Sequence, residues 1–199
     1  CQSEDERKRT AELIRPILRG RDIKRYGYNW ANLWLINTHN GIRGKLERIH
    51  IEDYPAVKAH LDHYWDRISK RADKGDTPYN LRNCAYLEDF SKPKIVWGNL
   101  NLRPSYAIVE DNSFINAPSP MIVPASRYLL AILNSKLADY FIRQLGVTRN
   151  GGYFEYKPMF IEQLPVPQCL DDSILKEINT NATIKNEKII DTIVYSLYG

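Results

Sequence analysis

Tyr128-Leu-Leu-Ala-Ile-Leu-Asn-Ser-Lys-Leu-Ala-Asp-Tyr-Phe-Ile-Arg-Gln-Leu145 reads as an apolar helix, with Ser126 as its N-cap and Gly146 as its stop. It delivers the chain to a Gly-rich basic loop, Gly146-Val-Thr-Arg-Asn-Gly-Gly-Tyr-Phe-Glu-Tyr-Lys157. Tyr153-Phe-Glu-Tyr156 returns as a strand, and Glu162-Gln-Leu-Pro-Val-Pro167 closes it with two prolines. The loop carries Arg149, Asn150, Tyr153, Tyr156 and Lys157, residue types that meet phosphates, base edges and base faces.

Outward from that region the chain alternates helices and strands. Between Glu4 and Arg25, Pro16 and Gly20 argue against one continuous helix, so a short helix followed by a turn is expected. Trp30-Ala-Asn-Leu-Trp-Leu-Ile-Asn37 reads as a buried strand, and Trp30, Trp34 and Trp65 as core residues. Pro55 and an apolar stripe through Val57, Leu61 and Ile68 mark an amphipathic helix from Tyr54 to Arg71. Pro93–Gly98, Ser105–Glu110 and Met121–Val123 read as strands, and one or two further helices are expected from about Asp171 to Tyr198. The order implies a mixed α/β (α+β) fold: one domain over 1–168 with a small mixed sheet and packed helices, then a helical tail over 169–199.

Composition narrows the function classes. With 43% hydrophobic and 26% charged residues the chain is globular, and a net charge of +4 permits a polyanionic partner without demanding one. Cys1, Cys84 and Cys169 are too scattered for a disulfide framework or a four-cysteine zinc site. His60 and His63 share a helix face with no Cys-x-x-Cys nearby, so no metal site is expected. Neither a membrane span nor a signal peptide is visible, so a cytoplasmic location is expected. The chain opens without Met inside a charged run, as a piece of a longer protein would.

Catalytic motifs are absent from the sequence. It has no phosphate-binding Gly-x-x-x-x-Gly-Lys loop, no Gly-x-Gly-x-x-Gly, no nucleophile elbow and no Asn/Asp-Pro-Pro-Tyr motif of amino-methylating enzymes. One alternative survives: Glu155-Tyr-Lys157 has the Glu-x-Lys spacing of metal-dependent nucleases, with Asp139 as a further metal ligand. Asp139 falls within the helix, and Glu-x-Lys recurs by chance, so recognition is the favoured reading. Tyr153 and Tyr156 are read as sharing one strand face, either core or exposed beside Arg149.

Six segments occur in order: Ile17-Leu-Arg-Gly-Arg-Asp-Ile-Lys-Arg-Tyr26, Tyr79-Asn-Leu-Arg82, Lys92-Pro-Lys-Ile-Val96, Leu130-Ala-Ile-Leu-Asn-Ser-Lys136, Gly151 to Lys157, and Gln163-Leu-Pro-Val-Pro167. Together they resemble the TaqI-like C-terminal specificity domain of adenine-modifying DNA methyltransferases and of fused restriction–modification proteins. The closing Ile190-Asp-Thr-Ile-Val-Tyr-Ser-Leu-Tyr-Gly199 is similar to the helix that follows this domain in the fused enzymes. The resemblance implies double-stranded DNA as a partner and an N-terminal methyltransferase domain upstream, which binds S-adenosylmethionine; no cofactor and no catalytic residue are expected in this chain. Arg149, Asn150, Tyr153, Glu155 and Lys157 are expected nearest the bases. Arg19, Arg21, Lys24, Arg25, Arg82, Lys94 and Arg143 are expected on the DNA backbone. In another reading the acidic C-terminal helices dock a partner subunit, and their removal leaves DNA affinity intact.

Overall fold

The computed structural model describes residues 1, 3–169 and 171–199. Helices and several small sheets alternate along it, the mixed α/β class expected. Its contacts divide the chain into two compact units, and not near residue 168: Cys1–Pro16 with Asn32–Asp89, and Ile17–Ala31 with Phe90–Gly199.

In the first unit Ser3 caps the helix Glu4–Leu13, its Oγ accepting from Glu6 N at 3.1 Å. Acidic residues fill the first turn, where the helix dipole favours them. The helix stops ahead of Pro16, as its missing N–H requires, but a strand, Ile14–Leu18, replaces the expected turn. Ile14, Arg15 and Pro16 pair antiparallel with Ile36, Leu35 and Trp34. The strand expected over 30–37 shrinks to Trp34–Ile36 and lies at a sheet edge. Trp34 is 55% exposed, and Trp30 and Trp65 are exposed as well, so these tryptophans are not the core that was expected. The core here is Leu13, Ile51 and Val57, with Ile36, Ile49, Tyr54, Leu61 and Tyr79 packed around them. The helix expected to reach Arg71 ends at Asp62 and resumes only as Trp65–Ile68.

The second unit is built on an antiparallel sheet with Lys94–Trp97 between Tyr106–Val109 and Met121–Ile122. The central strand is buried along its whole length. Two helices, Arg127–Asn134 and Lys136–Gln144, stand where one was expected. Ser126 caps the first as expected; Ser135 breaks the run and caps the second, accepting from Ala138 N at 3.1 Å. The break turns the new helix N-terminus toward buried Asp191, whose Oδ1 accepts from Lys136 N at 2.9 Å. Asn134, fully buried, joins helix to sheet by accepting from Tyr106 N (3.1 Å) and donating to Tyr106 O (3.0 Å).

The helices Asp172–Ile184 and Glu187–Tyr198 are not a detached tail. Their Ile178, Ile190, Ile193 and Val194 are buried in the same cluster as Trp97, Tyr106, Ile132, Phe154 and Tyr156. The proline segment is fixed from two helices: Tyr128, on Arg127–Asn134, donates to Pro167 O at 2.7 Å, and Tyr198, on Glu187–Tyr198, to Pro165 O at 2.5 Å. Pro158 starts a short helix, Pro158–Ile161, so the returning strand ends well before Pro165.

Candidate functional site

The loop after helix Lys136–Gln144 begins with a steric requirement at Gly146. A Cβ there would lie 2.9 Å from ring atoms of both Phe154 and Phe160, so glycine lets the chain turn against the core. The loop then folds on itself. Arg149 N donates to Tyr153 O at 2.6 Å, and Gly152 N to Arg149 O at 3.2 Å. Gly151 and Gly152 take φ of 75° and 81° at the tip, a region glycine enters without strain.

Beyond the tip, Phe154 and Glu155 pair antiparallel with Asn101 and Leu100. A strand alternates its faces, so Phe154 and Tyr156 point inward while Tyr153, Glu155 and Lys157 point outward. This corrects the expectation that Tyr153 and Tyr156 share a face: they are an odd number of residues apart. Tyr156 is 1% exposed and is core; Tyr153 is 41% exposed. The Tyr156 backbone carbonyl accepts from Trp97 Nε1 at 2.6 Å, which locks the strand onto the sheet.

On the outer face Glu155 sits between two cations. Its Oε2 is 2.9 Å from Lys157 Nζ and 3.2 Å from Arg149 Nη2. Hydrogen bonds from Lys157 first, and then Arg149, hold its carboxyl below the ordinary glutamate range. Arg149, Asn150, Tyr153, Leu100, Val147 and Thr148 line an open groove of about 400 Å³ beside this triad. All the residues expected nearest the bases, Arg149, Asn150, Tyr153, Glu155 and Lys157, therefore lie on one short loop and strand. A guanidinium, an amide and a ring in this groove, with the Glu155 carboxylate and the Lys157 ammonium joined to that guanidinium, suit a ligand with both charge and hydrogen-bonding edges.

Asp139 faces the other side. Its Oδ1 accepts from Arg143 Nε and from the Tyr156 hydroxyl, each at 2.8 Å. It thus belongs with inward Tyr156 and not with outward Glu155 and Lys157, and the nuclease trio is split across the strand. Among the described residues no group of three His, Cys, Asp or Glu is placed to hold a metal ion.

The residues expected on the DNA backbone are scattered in role. Arg21, Lys24 and Arg82 are exposed. Lys94 is fully buried, its Nζ donating to Phe90 O and Asp111 O at 2.8 Å each and to Lys92 O at 3.3 Å, so it is a structural cap out of reach of a phosphate. Arg19 grips buried Asp22 with two side-chain bonds of 2.8 and 2.9 Å. Arg25 Nε lies 2.6 Å from Glu187, with only 9% of its side chain exposed. Arg143 is engaged by Asp139, Tyr156 and the Leu102 carbonyl.

Sequence reading missed Leu100 and Val147 as groove walls, the Asn134 clasp and the Trp97–Tyr156 bond. Leu100-Asn-Leu-Arg103 shows no period long enough to reveal its pairing, and the other contacts are tertiary.

The fold is shared with a solved structure of the Type IIL restriction-modification enzyme MmeI in complex with DNA, with a TM-score of 0.66 at 13% identity. The likeness covers 99% of this chain, which spans 30% of that one. Residues 15–166 match the family described as the TaqI-like C-terminal specificity domain. With most of its length inside that match, and with the six sequence segments in order along it, the chain belongs to the TaqI-like C-terminal specificity domain family.

Proposed function

We propose that this chain recognises a specific sequence in double-stranded DNA, as the specificity domain of a restriction–modification adenine methyltransferase. Membership of a specificity-domain family and the likeness to a restriction-modification enzyme solved with DNA support the reading. One observation carries it furthest: Arg149 and Asn150 on the loop, and Tyr153, Glu155 and Lys157 along the outer face of the strand that follows, stand together while the inner face of that strand is locked in the core.

In this reading the Arg149 fork pairs with guanine, Asn150 with adenine, and Glu155 accepts from cytosine. Each good pair discriminates by about 1–3 kcal/mol. Lys157 joins Arg149 at base edges, and Tyr153 offers a ring face. Exposed Arg21, Lys24 and Arg82 contact phosphates, which position the duplex without reading it. The methyltransferase domain is the chain's partner and lies N-terminal in the parent protein; S-adenosylmethionine belongs there and not here. The protein then works in the cytoplasm; among the described residues no helix is long and apolar enough to cross a membrane.

The test is selection of bound duplexes from a randomised pool by the purified chain, at a salt concentration where non-specific attraction is weak. Enrichment of one short motif is expected. Binding with no enriched motif contradicts the reading.

A further inference from the structure

Arg143 lies behind the candidate reading surface, touching both segments that form it. From the helix Lys136–Gln144 its Nη2 donates to Leu102 O at 2.6 Å and to the Tyr156 hydroxyl at 2.9 Å. Its Nε donates to Asp139 Oδ1 at 2.8 Å, and the Tyr156 hydroxyl donates to the same oxygen at 2.8 Å. The guanidinium also lies over the rings of Phe154 and Tyr156, 5.4 and 5.7 Å from their centroids. Leu102 directly follows the strand Leu100–Asn101, and Tyr156 directly follows its partner Phe154–Glu155. One cation therefore fastens both strands of the two-stranded sheet to one helix. Asp139 holds it from one turn earlier on that helix.

We infer that Arg143 is a positioning residue, which fixes the Leu100–Leu102 and Phe154–Tyr156 segments in one register and so sets the aim of Arg149, Glu155 and Lys157. The inference rests on the recognition reading and assigns Arg143 no contact with DNA, in place of the phosphate contact expected from sequence. Guanidinium chemistry is needed because the three donor directions are fixed by a planar fork; an ammonium at the same place is a single point of attachment. Tyr156 is the second member of the device. Its hydroxyl is the acceptor for Arg143 and the donor to Asp139, and burial, followed by the nearby Asp139 charge, raises its pKa and keeps it protonated.

Three variants test this: Arg143→Lys, Arg143→Gln and Tyr156→Phe, each compared with wild type by thermal unfolding. Three quantities are read: discrimination between the selected duplex and single-mismatch duplexes, the salt slope of non-specific binding, and amide exchange over residues 147–153 and 100–102. All three variants are expected to lose discrimination by about tenfold, the worth of one base contact. Exchange should rise in those two segments, and the salt slope should stay unchanged. The inference is overturned if Arg143→Gln flattens the slope by about 0.9, the signature of one lost phosphate contact, while discrimination and exchange stay as in wild type. It is equally overturned if Tyr156→Phe, which leaves every charge in place, changes neither discrimination nor exchange. If wild type itself shows no discrimination, the recognition reading fails. Exchange in the variants then still decides whether Arg143 holds the two segments.

Discussion

Gly146 and Asn134 show how single positions carry the geometry of the loop and of the sheet beneath it. At Gly146 a methyl group would press on Phe154 and Phe160 at 2.9 Å, and both rings are held in a packed core. Gly146→Ala is expected to destabilise by about 1–3 kcal/mol, as overpacking does, measured as a lower urea midpoint with an unchanged slope. Asn134→Leu removes the acceptor of the buried Tyr106 N–H. An unpaired buried donor costs about 1–3 kcal/mol, and the same urea titration reads it. Asp22 provides a pH signature. Its carboxyl is held below the ordinary aspartate range by the side-chain hydrogen bond from Arg19. A carboxyl lowered in the folded state contributes stability above its unfolded pKa of about 3.9 and loses it as the pH falls through the folded value. The unfolding midpoint of Asp22→Asn is therefore expected to fall less steeply below about pH 4 than that of wild type.

The helix pair 127–144 shows what local sequence conveys about an element and what it does not. Ser126 and Gly146 were readable as boundaries because caps and stops are local chemistry. The break at Ser135 was not, because apolar residues continue in helical register on both sides of it. Its reason lies far along the chain, in Asp191, which takes the Lys136 N–H. Ser135→Ala is expected to cost about 1 kcal/mol, the worth of an N-cap, checked by thermal unfolding. The candidate site was legible as a set of residue types on one loop, Arg149 to Lys157, but not as faces. A short strand assigns Tyr153 outward and Tyr156 inward only once Glu155 is registered against Leu100. Lys94 misled for the reverse reason: a lysine beside a strand reads as solvated, and three carbonyls that hold it inside are invisible in sequence.

Across the whole molecule, the charge excess and the C-terminal helices both belong to the second unit. That unit carries fifteen Lys and Arg against eleven Asp and Glu, while the first carries thirteen of each, so the entire +4 lies with the loop. The terminal helices bury Ile178, Ile190 and Val194 fully in its core. Each such side chain is worth roughly 1.5–3 kcal/mol, together more than a small unit can lose. A chain ending at residue 168 is therefore expected to lose the cooperative unfolding of its second unit in calorimetry. That differs from the alternative sequence reading, in which these helices dock a partner subunit and their removal leaves DNA affinity intact. The most direct test of recognition by the 149–157 face repeats the duplex selection with Arg149→Ala beside wild type. The expected result is the same motif with one position relaxed; an unchanged motif at every position would contradict it.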